Sequence, residues 1–318
     1  MAGIHVREYF YRVLSTLYKY ASELAVLEYP RSIEKRSLDM ALKLSDGTVI
    51  LVKVIEDLDM LSKREAGELA LIASTLGVPA IIVADKKGGV DLVDGVVFEK
   101  HGVRVVTLRT LEDYLSGSEK PFIYQSKDMF KVRIDPGKMR ERRLEMGLSL
   151  GDLALFLGTS RRAVYEYERG GIEPTVEKGE KLVEMLGEDI LKPIELTEPL
   201  KAPKRSLDYD TELERSIAER LTDMGYRVYH AKRTVSDIGG SRRGEARIMI
   251  AVRHRRESDT RMVEKASYLE RLCSVTEAEA IVVVDDTRMA KKMEGEGLRA
   301  YTLNDFIEAV KQRERGKR

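Results

Sequence analysis

The sequence predicts a multidomain chain in which two related α/β domains, each a mixed sheet with helices on its faces, flank an all-α domain. Three observations predict it. The first is an internal repeat. A shift of 200 residues lays Ala66, Leu69, Ser74, Ala80, Ile81, Val83 and Asp85 on Ala266, Leu269, Ser274, Ala280, Ile281, Val283 and Asp285. A shift of 195 then lays Gly102, Arg104, Thr107 and Leu108 on Gly297, Arg299, Thr302 and Leu303, as loop shortening by five residues in a duplicated domain would do. The second observation is the shared order of elements in the two repeats. The third is the middle, where short helical patterns alternate with Gly from Lys131 to Gly187. At about 150 residues per domain, 318 residues hold two domains, or three small ones.

In the first repeat, residues 1–115, Phe10, Val13, Leu14, Leu17, Ala21 and Leu24 recur at helical spacing. LDMALKL and TVILVKV then flank Asp46-Gly47, a hairpin signal. A helix from about Leu61 to Leu76 leads to the apolar strand AIIVAD, a short strand near VVF, the strand VRVVTL and a final helix. Residues 116–130 lack periodicity and read as a connection to the helical domain, residues 131–187. Pro193, Pro199 and Pro203 mark 188–208 as a semi-extended linker. The second repeat, 209–318, opens with a helix whose apolar face is Leu213, Ile217, Leu221 and Met224, stopped by Gly225. YRVYHA, ARIMIAV, a helix from about Thr260 to Ser274, AIVVVDD, LRAYTL and a last helix complete it. Helix, hairpin-like strands, helix and buried strand build a small mixed sheet with helices on its faces.

Composition bounds the function classes. Apolar residues make up 43% of the chain, enough for real cores. Its 55 basic and 54 acidic residues exclude a wholly cationic nucleic-acid coat protein and an acidic disordered chain. Cys273 is the single cysteine, which excludes a disulfide framework and a Cys-based zinc site and fits a reducing compartment. No apolar run approaches the roughly 18 residues that span a bilayer, and MAGIHVREYFYRV lacks the features of a signal peptide. A cytoplasmic, nucleoid-associated protein without membrane contact is expected. The charged fraction is 34%, and the only side-chain amides are Asn304, Gln125 and Gln312. That is the pattern of proteins from hot-living organisms.

The central segment is the most specific. Lys138 to Gly147 reads as a helix ended by Gly, and Ser149 is a suitable N-cap for LGDLALFL. A further helix begins near Ser160 and runs through SRRAVYEYERG to Gly170; TVEKGEKLVEML supplies another, ending at Gly187. The turn LGTS is too short for anything but a sharp crossing, which is helix-turn-helix spacing. Through MRERRLEMGLS and DLALFLGTSRRAVYEYERG the segment resembles the helix-turn-helix domain of the Cro and lambda-repressor type, over about 57 residues. The resemblance implies that Ala154, Leu157, Val164 and Tyr167 are core. It also implies that Glu168 and Gly170 form the Glu-x-Gly that ends the recognition helix. It departs at Leu150, where the family often has a Gln on a phosphate, and at Thr159, usually apolar.

With Val164 and Tyr167 inward, Arg161, Arg162, Tyr165, Glu166 and Arg169 are left outward; Ser149 and Ser160 at the two helix starts complete the expected DNA-binding set. Arg161 and Arg162 sit in the first turn, the end that enters the major groove, where Arg takes guanine O6 and N7 bidentately. Their long stems also suit phosphate, which positions without specifying. The competing reading pairs these arginines with Glu166 or Glu168 on an ordinary bundle surface. The segment carries eleven basic and ten acidic residues, so binding depends on charge placement rather than bulk charge.

The element order of each flanking repeat is similar to the restriction-endonuclease fold, the PD-(D/E)XK class. That resemblance implies an Asp, then an acidic residue two positions before a Lys on the next strand, holding a divalent metal and activating water. Asp39 and Lys53 fall on the right strands, but Leu51 stands where the second acid belongs. In the second repeat the corresponding pair is Ala251 and Arg253, with Asp237 in place of the Asp. Both sites are degenerate, Asp39 and Lys53 are expected to be strand-edge charges, and no catalytic residue, metal ligand or cofactor is expected. His5, His101, His230 and His254 are scattered and form no metal spacing. Cys273, opposite Ala73, reads as core. GGSRRG (Gly239 to Gly244) reads as a turn, and HRRESDTR and KQRERGKR as solvated basic surface.

The whole layout resembles an archaeal family of helix-turn-helix transcriptional regulators. The resemblance implies a non-enzymatic, sequence-specific regulator bound to double-stranded DNA. One reading helix recognises few base pairs, so a homodimer on half-sites about one helical turn apart is expected. The flanking domains would supply the dimer surface or sense a small-molecule effector. Two other classes compete: a metal-dependent nuclease or junction-processing enzyme, and an architectural protein with sequence-independent DNA affinity.

Overall fold

α1 (Ala2–Tyr18) stops before a strand, β1 (Ala21–Val26), in a stretch whose apolar spacing predicts one continuous helix. Ala21 and Leu24 belong to the strand, where they face Leu44 and Leu42 of β2 (Met40–Leu44). The helical spacing of these apolar residues therefore runs across two separate elements. β2 turns through Asp46 and Gly47 (φ +84°) into β3 (Val49–Val54), and α2 (Lys63–Leu76) returns the chain to β4 (Ala80–Val83). β1, β2 and β3 are antiparallel neighbours and β4 joins β3 in parallel. Ser62 and Glu65 cap α2 reciprocally, satisfying two of its free amides.

The computed structural model describes residues 2–126, 128–200, 208–242, 247–254 and 257–315. They divide into two units, one of residues 1–89, 101–103 and 197–318, the other of 90–100 and 104–196. Within the second unit lie β5 (Val96–Lys100), most of β6 (Val103–Val106) and α3 (Leu108–Ser116). The predicted connection over 116–130 is instead structured. β7 (Ile123–Ser126) lies parallel to β5 and pairs antiparallel with β8 (Met129–Val132). Four-residue strands with one turn between them carry too short an alternation to stand out from a loop. The start of the predicted linker is also part of this unit. Ile190, Ile194 and Leu196 are buried, and Ile194 N–H donates to the Pro121 carbonyl. Residues 201–207, with Pro203, lie outside the described residues.

The second repeat consists of α8 (Glu212–Asp223), β9 (Arg227–His230), β10 (Ile238–Ser241), β11 (Arg247–Val252), α9 (Asp259–Thr276), β12 (Ala278–Val284), α10 (Thr287–Gly295), β13 (Ala300–Thr302) and α11 (Leu303–Arg315). Its pairing repeats that of the first: β9, β10 and β11 antiparallel, then β12 parallel to β11. β10 is a correction to the reading of GGSRRG as a turn. Its glycines serve packing, since a Cβ on Gly239 would stand 2.3 Å from the Tyr229 ring. Arg243 and Gly244 of that stretch, Arg255 and Arg256 of HRRESDTR, and the last three residues of KQRERGKR lie outside the described residues. α10 corrects the loop-shortening reading. Where the first repeat has strand, the second has a helix capped by Asp286, with Met289, Ala290 and Met293 buried.

The two repeats pack on each other reciprocally. α2 of the first covers β9 and β10 of the second, and α9 of the second covers β1 and β2 of the first. The loop after β1 meets α9 and the residue before its cap, with Tyr29 Oη donating to Glu257 (3.0 Å) and Arg31 beside Glu264 of α9 (3.3 Å). The loop after β9 meets α2 through Arg233, whose amide donates to Glu68 (3.2 Å) and whose guanidinium pairs with Glu65. Among the described residues no helix is long and apolar enough to cross a membrane.

Candidate functional site

Four helices pack around one apolar cluster in the second unit: α4 (Pro136–Glu145), α5 (Leu150–Phe156), α6 (Arg161–Arg169) and α7 (Val176–Leu186). Each start has a chemical cause. Asp135 caps α4 by accepting from the amides of Gly137 and Lys138, with Pro136 at the first turn. Ser149 and Asp152 form a capping box on α5, and Ser160 Oγ accepts from the Ala163 amide at 3.1 Å on α6. Both serines thus cap their own helices, and both are exposed. Gly170, at φ +68°, ends α6 in the left-handed region that glycine tolerates. Ala154, Leu157, Val164 and Tyr167 are all buried, and Leu150 turns partly into the same core, away from solvent.

On the other face of α6, Arg161, Arg162, Tyr165 and Arg169 are exposed. Glu166 is half-buried and lies over Gly171, where a Cβ would stand 2.3 Å from its Oε2. Arg169 folds over the Tyr165 ring, 5.5 Å from its centroid. Arg161 lies back across Gly151 at the start of α5; a Cβ there would meet its Nε and Nη2 at 2.8 Å. Its charge, with the capping bonds from Ser149, holds Asp152 below the usual carboxylate range, the Ser149 bonds contributing most. The competing ion-pair reading fails on Glu168. That carboxylate faces inward, only 6% exposed, and takes the Arg143 guanidinium in a fork of 2.6 and 3.1 Å. Arg143 Nη1 also donates to the Leu148 carbonyl at 2.7 Å, tying α4 to the turn before α5. Among the described residues neither Arg161 nor Arg162 has a carboxylate at ion-pair distance.

The α/β repeats carry buried charges, not strand-edge ones. Asp39 and Lys53 are 0% and 1% exposed and 3.0 Å apart. The Val54 amide donates to the same Asp39 oxygen at 2.8 Å, while Lys53 Nζ also donates to the Ile33 carbonyl. Burial holds the Asp39 carboxyl above the usual range despite Lys53. Asp237 takes the equivalent place, since its amide donates to Ile250 O as that of Asp39 does to Val52 O. That register sets Ala251, not Arg253, where Lys53 stands. The vacated charge is restored from a helix: Lys265 of α9 reaches Asp237 Oδ2 at 2.5 Å. Burial pushes Asp237 up, but Lys265, His254 and the Val252 amide outweigh it and hold the carboxyl low.

The histidines correct the sequence reading most. His230 and His254, 24 residues apart, both stand beside Glu214 of α8, at 3.4 and 3.7 Å. His254 also lies 3.8 Å from Asp237. The Asp237 hydrogen bond holds His254 above the ordinary imidazole range. No spacing rule finds this set, because a helix, a pre-strand loop and a strand end deliver its members. Cys273 is buried as expected, and burial pushes its thiol up.

Comparisons with known proteins agree with this layout. A model described as a PD-(D/E)XK superfamily domain matches residues 7–121, and one described as helix-turn-helix matches 139–192. The chain is 43% identical over 282 residues to a protein of Aeropyrum pernix named "Putative HTH-type transcriptional regulatory protein", covering 87% of this chain and 86% of that one. Relatives bearing the same description occur in Archaeoglobus fulgidus, 29% identical over 84% of this chain and 87% of the relative, and in Methanocaldococcus jannaschii, 26% identical over 80% and 81%. No solved structure matches.

Proposed function

Because the chain belongs to the archaeal family of HTH-type transcriptional regulatory proteins, we propose that it binds double-stranded DNA in a sequence-specific manner, with α6 in the major groove. The observation that carries this reading is the division of charge on α6. Glu168 is consumed by Arg143 inside the fold, leaving Arg161 and Arg162 exposed without a carboxylate partner among the described residues. Arg162 is the base-reading candidate. Arg161, lying against the first turn of α5, is better placed to clamp a phosphate beside the Ser149 cap. Tyr165, stacked under Arg169, adds an apolar edge at the groove wall.

The test is selection of sites from genomic fragments, followed by affinities on the selected site and on random DNA. Arg162→Ala is expected to cost about 1–3 kcal/mol on the selected site and little on random DNA. Arg161→Ala is expected to weaken both alike and to lower the salt slope by about one unit. Gly151→Ala, which displaces the Arg161 guanidinium, should mimic Arg161→Ala with little change in stability. If neither arginine change affects binding at any salt, α6 is not the reading helix.

Homodimerisation belongs to the same proposal. The intrachain pairing of the two repeats uses the faces of α2 and α9, so the dimer surface must lie elsewhere. Leu155 of α5, 85% exposed, and the exposed Leu144 and Met146 are apolar side chains that the helical unit offers to a partner. A cleft of about 380 Å³ is lined by Arg7, Arg31 and Arg36 together with Glu28 and Glu264, so an effector bound there would meet both signs of charge. The PD-(D/E)XK match supports a second reading, nuclease activity. With Asp39 and Lys53 bound to each other and Leu51 buried at the second acidic position, we favour a scaffold role. Magnesium-dependent cleavage of duplex or branched DNA, abolished by Lys53→Ala, would reverse that preference.

A further inference from the structure

We propose that Glu214, Asp237 and His254 form a site for one divalent transition-metal ion of the zinc class, in the repeat that neither family model covers. His254 Nε2 lies 3.7 Å from Glu214 Oε1 and 3.8 Å from Asp237 Oδ1. The three donor atoms fall within 4.8 Å of one another. A tetrahedral zinc ion with ligands at about 2.0–2.2 Å sets neighbouring donors roughly 3.3–3.6 Å apart. Closing on an ion therefore takes His254 a few tenths of an ångström towards each carboxylate, and leaves the two carboxylate oxygens, within 4.8 Å of each other, to draw together around it.

Each carboxylate is fixed by one oxygen and leaves the other for the ion. Glu214 Oε2 accepts the amides of Asp210 and Thr211 at 2.8 and 2.9 Å, locked there by the capping box of α8. Asp237 Oδ2 accepts the Val252 amide at 2.6 Å and Lys265 Nζ at 2.5 Å. Glu214 Oε1 and Asp237 Oδ1 are thereby aimed at one point, where the imidazole of His254 meets them from the solvent side, 35% exposed. Such anchoring of the ligands by outer partners is what a metal site needs.

His230 supplies an independent observation. It is 6% exposed, and its Nε2 is buried 3.4 Å from Glu214 Oε2 without making a hydrogen bond. An unpaired imidazole nitrogen in the interior is costly, and this one stands beside Glu214, the residue shared by the Glu214–Asp237–His254 set and the adjoining Asp210–Glu214–His230 set. One imidazole nitrogen with two carboxylate oxygens suits zinc, iron(II) or manganese better than magnesium. The set also differs from the metal site of PD-(D/E)XK chemistry, because Met249, in the register of Leu51, offers no acidic ligand and His254 lies outside that motif.

The experiment is calorimetric titration of the metal-stripped full chain with zinc, repeated in excess magnesium. The expected result is one ion per chain, undisturbed by magnesium, with affinity falling roughly 100-fold in His254→Ala and in Glu214→Gln and unchanged in His101→Ala. Zinc should also slow hydrogen exchange at the amides of Asp210, Thr211 and Val252 in the wild type, a readout that needs no variant. Absence of a stoichiometric site in the wild type, or a site that survives both ligand changes intact, overturns the proposal. None of these readouts involves DNA, so they stand or fall separately from the reading of α6.

Discussion

Lys53→Met is expected to destabilise the first α/β domain by about 3–5 kcal/mol, the cost of leaving a buried charge without its partner. Asp39 is wholly buried, and its nearest other cation, Arg36, stands 3.9 Å away with its guanidinium already donating to the carbonyls of Pro30 and Arg31. One carboxylate oxygen, Oδ1, has no hydrogen bond. Once Lys53 is gone, the carboxylate keeps the Val54 amide as a hydrogen-bond donor and Arg36 as a cation only at 3.9 Å. The double variant Asp39→Asn/Lys53→Met should recover most of the loss, since it removes the charge and keeps an acceptor for that amide. The pH dependence follows from the raised Asp39. The folded protein holds this proton to higher pH than the unfolded chain, so its contribution to stability is fully present below the unfolded value and is lost as pH rises through the folded one. Removing Lys53 raises the folded value further, which makes the deficit smallest in acid and largest near neutral pH. Denaturant melts of both variants at several pH values measure this. A deficit under about 1 kcal/mol at neutral pH, or one that grows on acidification, would show that Asp39 does not depend on Lys53.

The same pair explains why part of the molecule was legible in the sequence and part was not. The helix-turn-helix could be read because its geometry is written locally. Ser149, Ser160 and Gly170 punctuate the helices, and Val164 and Tyr167 sit at helical spacing on one face. The duplication could be read because buried strands such as AIIV and AIVV keep their apolar residues in register. β1 could not, since its alternation continues the apolar spacing of α1; nor could β10, whose glycines look like a turn until the Tyr229 ring is seen to occupy their space. Lys265 is the clearest case. The position equivalent to Lys53 holds Ala251, which reads as a lost charge, yet a lysine from another element restores it. The apolar matches between the repeats conceal this, because the strands carrying Lys53 and Ala251 are offset by a different amount from the helices that follow them. Convergence of Glu214, His230, Asp237 and His254 is likewise a property of topology, and no linear spacing encodes it.

Arg143→Met is expected to cost the helical unit about 3–5 kcal/mol and to loosen α6 in particular. Arg143 is 7% exposed and makes three bonds at once, two to Glu168 on α6 and one to the Leu148 carbonyl. A lysine cannot reproduce a planar fork of this kind, so Arg143→Lys should recover only a fraction of the loss. Arg143→Met/Glu168→Leu removes both charges from an interior that can accept apolar side chains, and should restore most of the stability. Hydrogen exchange at the amides of Val164 and Tyr167 reports α6 directly, and a rate unchanged in Arg143→Met would sink the prediction. DNA affinity then separates packing from recognition. If the fork only stabilises the unit, the double variant binds the selected site as the wild type does. If it also fixes the pose of α6, the double variant is stable yet binds weakly, because Arg162 is carried on a helix no longer held against α4. Arg162→Ala gives the converse. As an exposed substitution it should leave stability within about 0.5 kcal/mol while lowering affinity, so the two arginines on one short stretch of fold divide cleanly between holding the reading helix and using it.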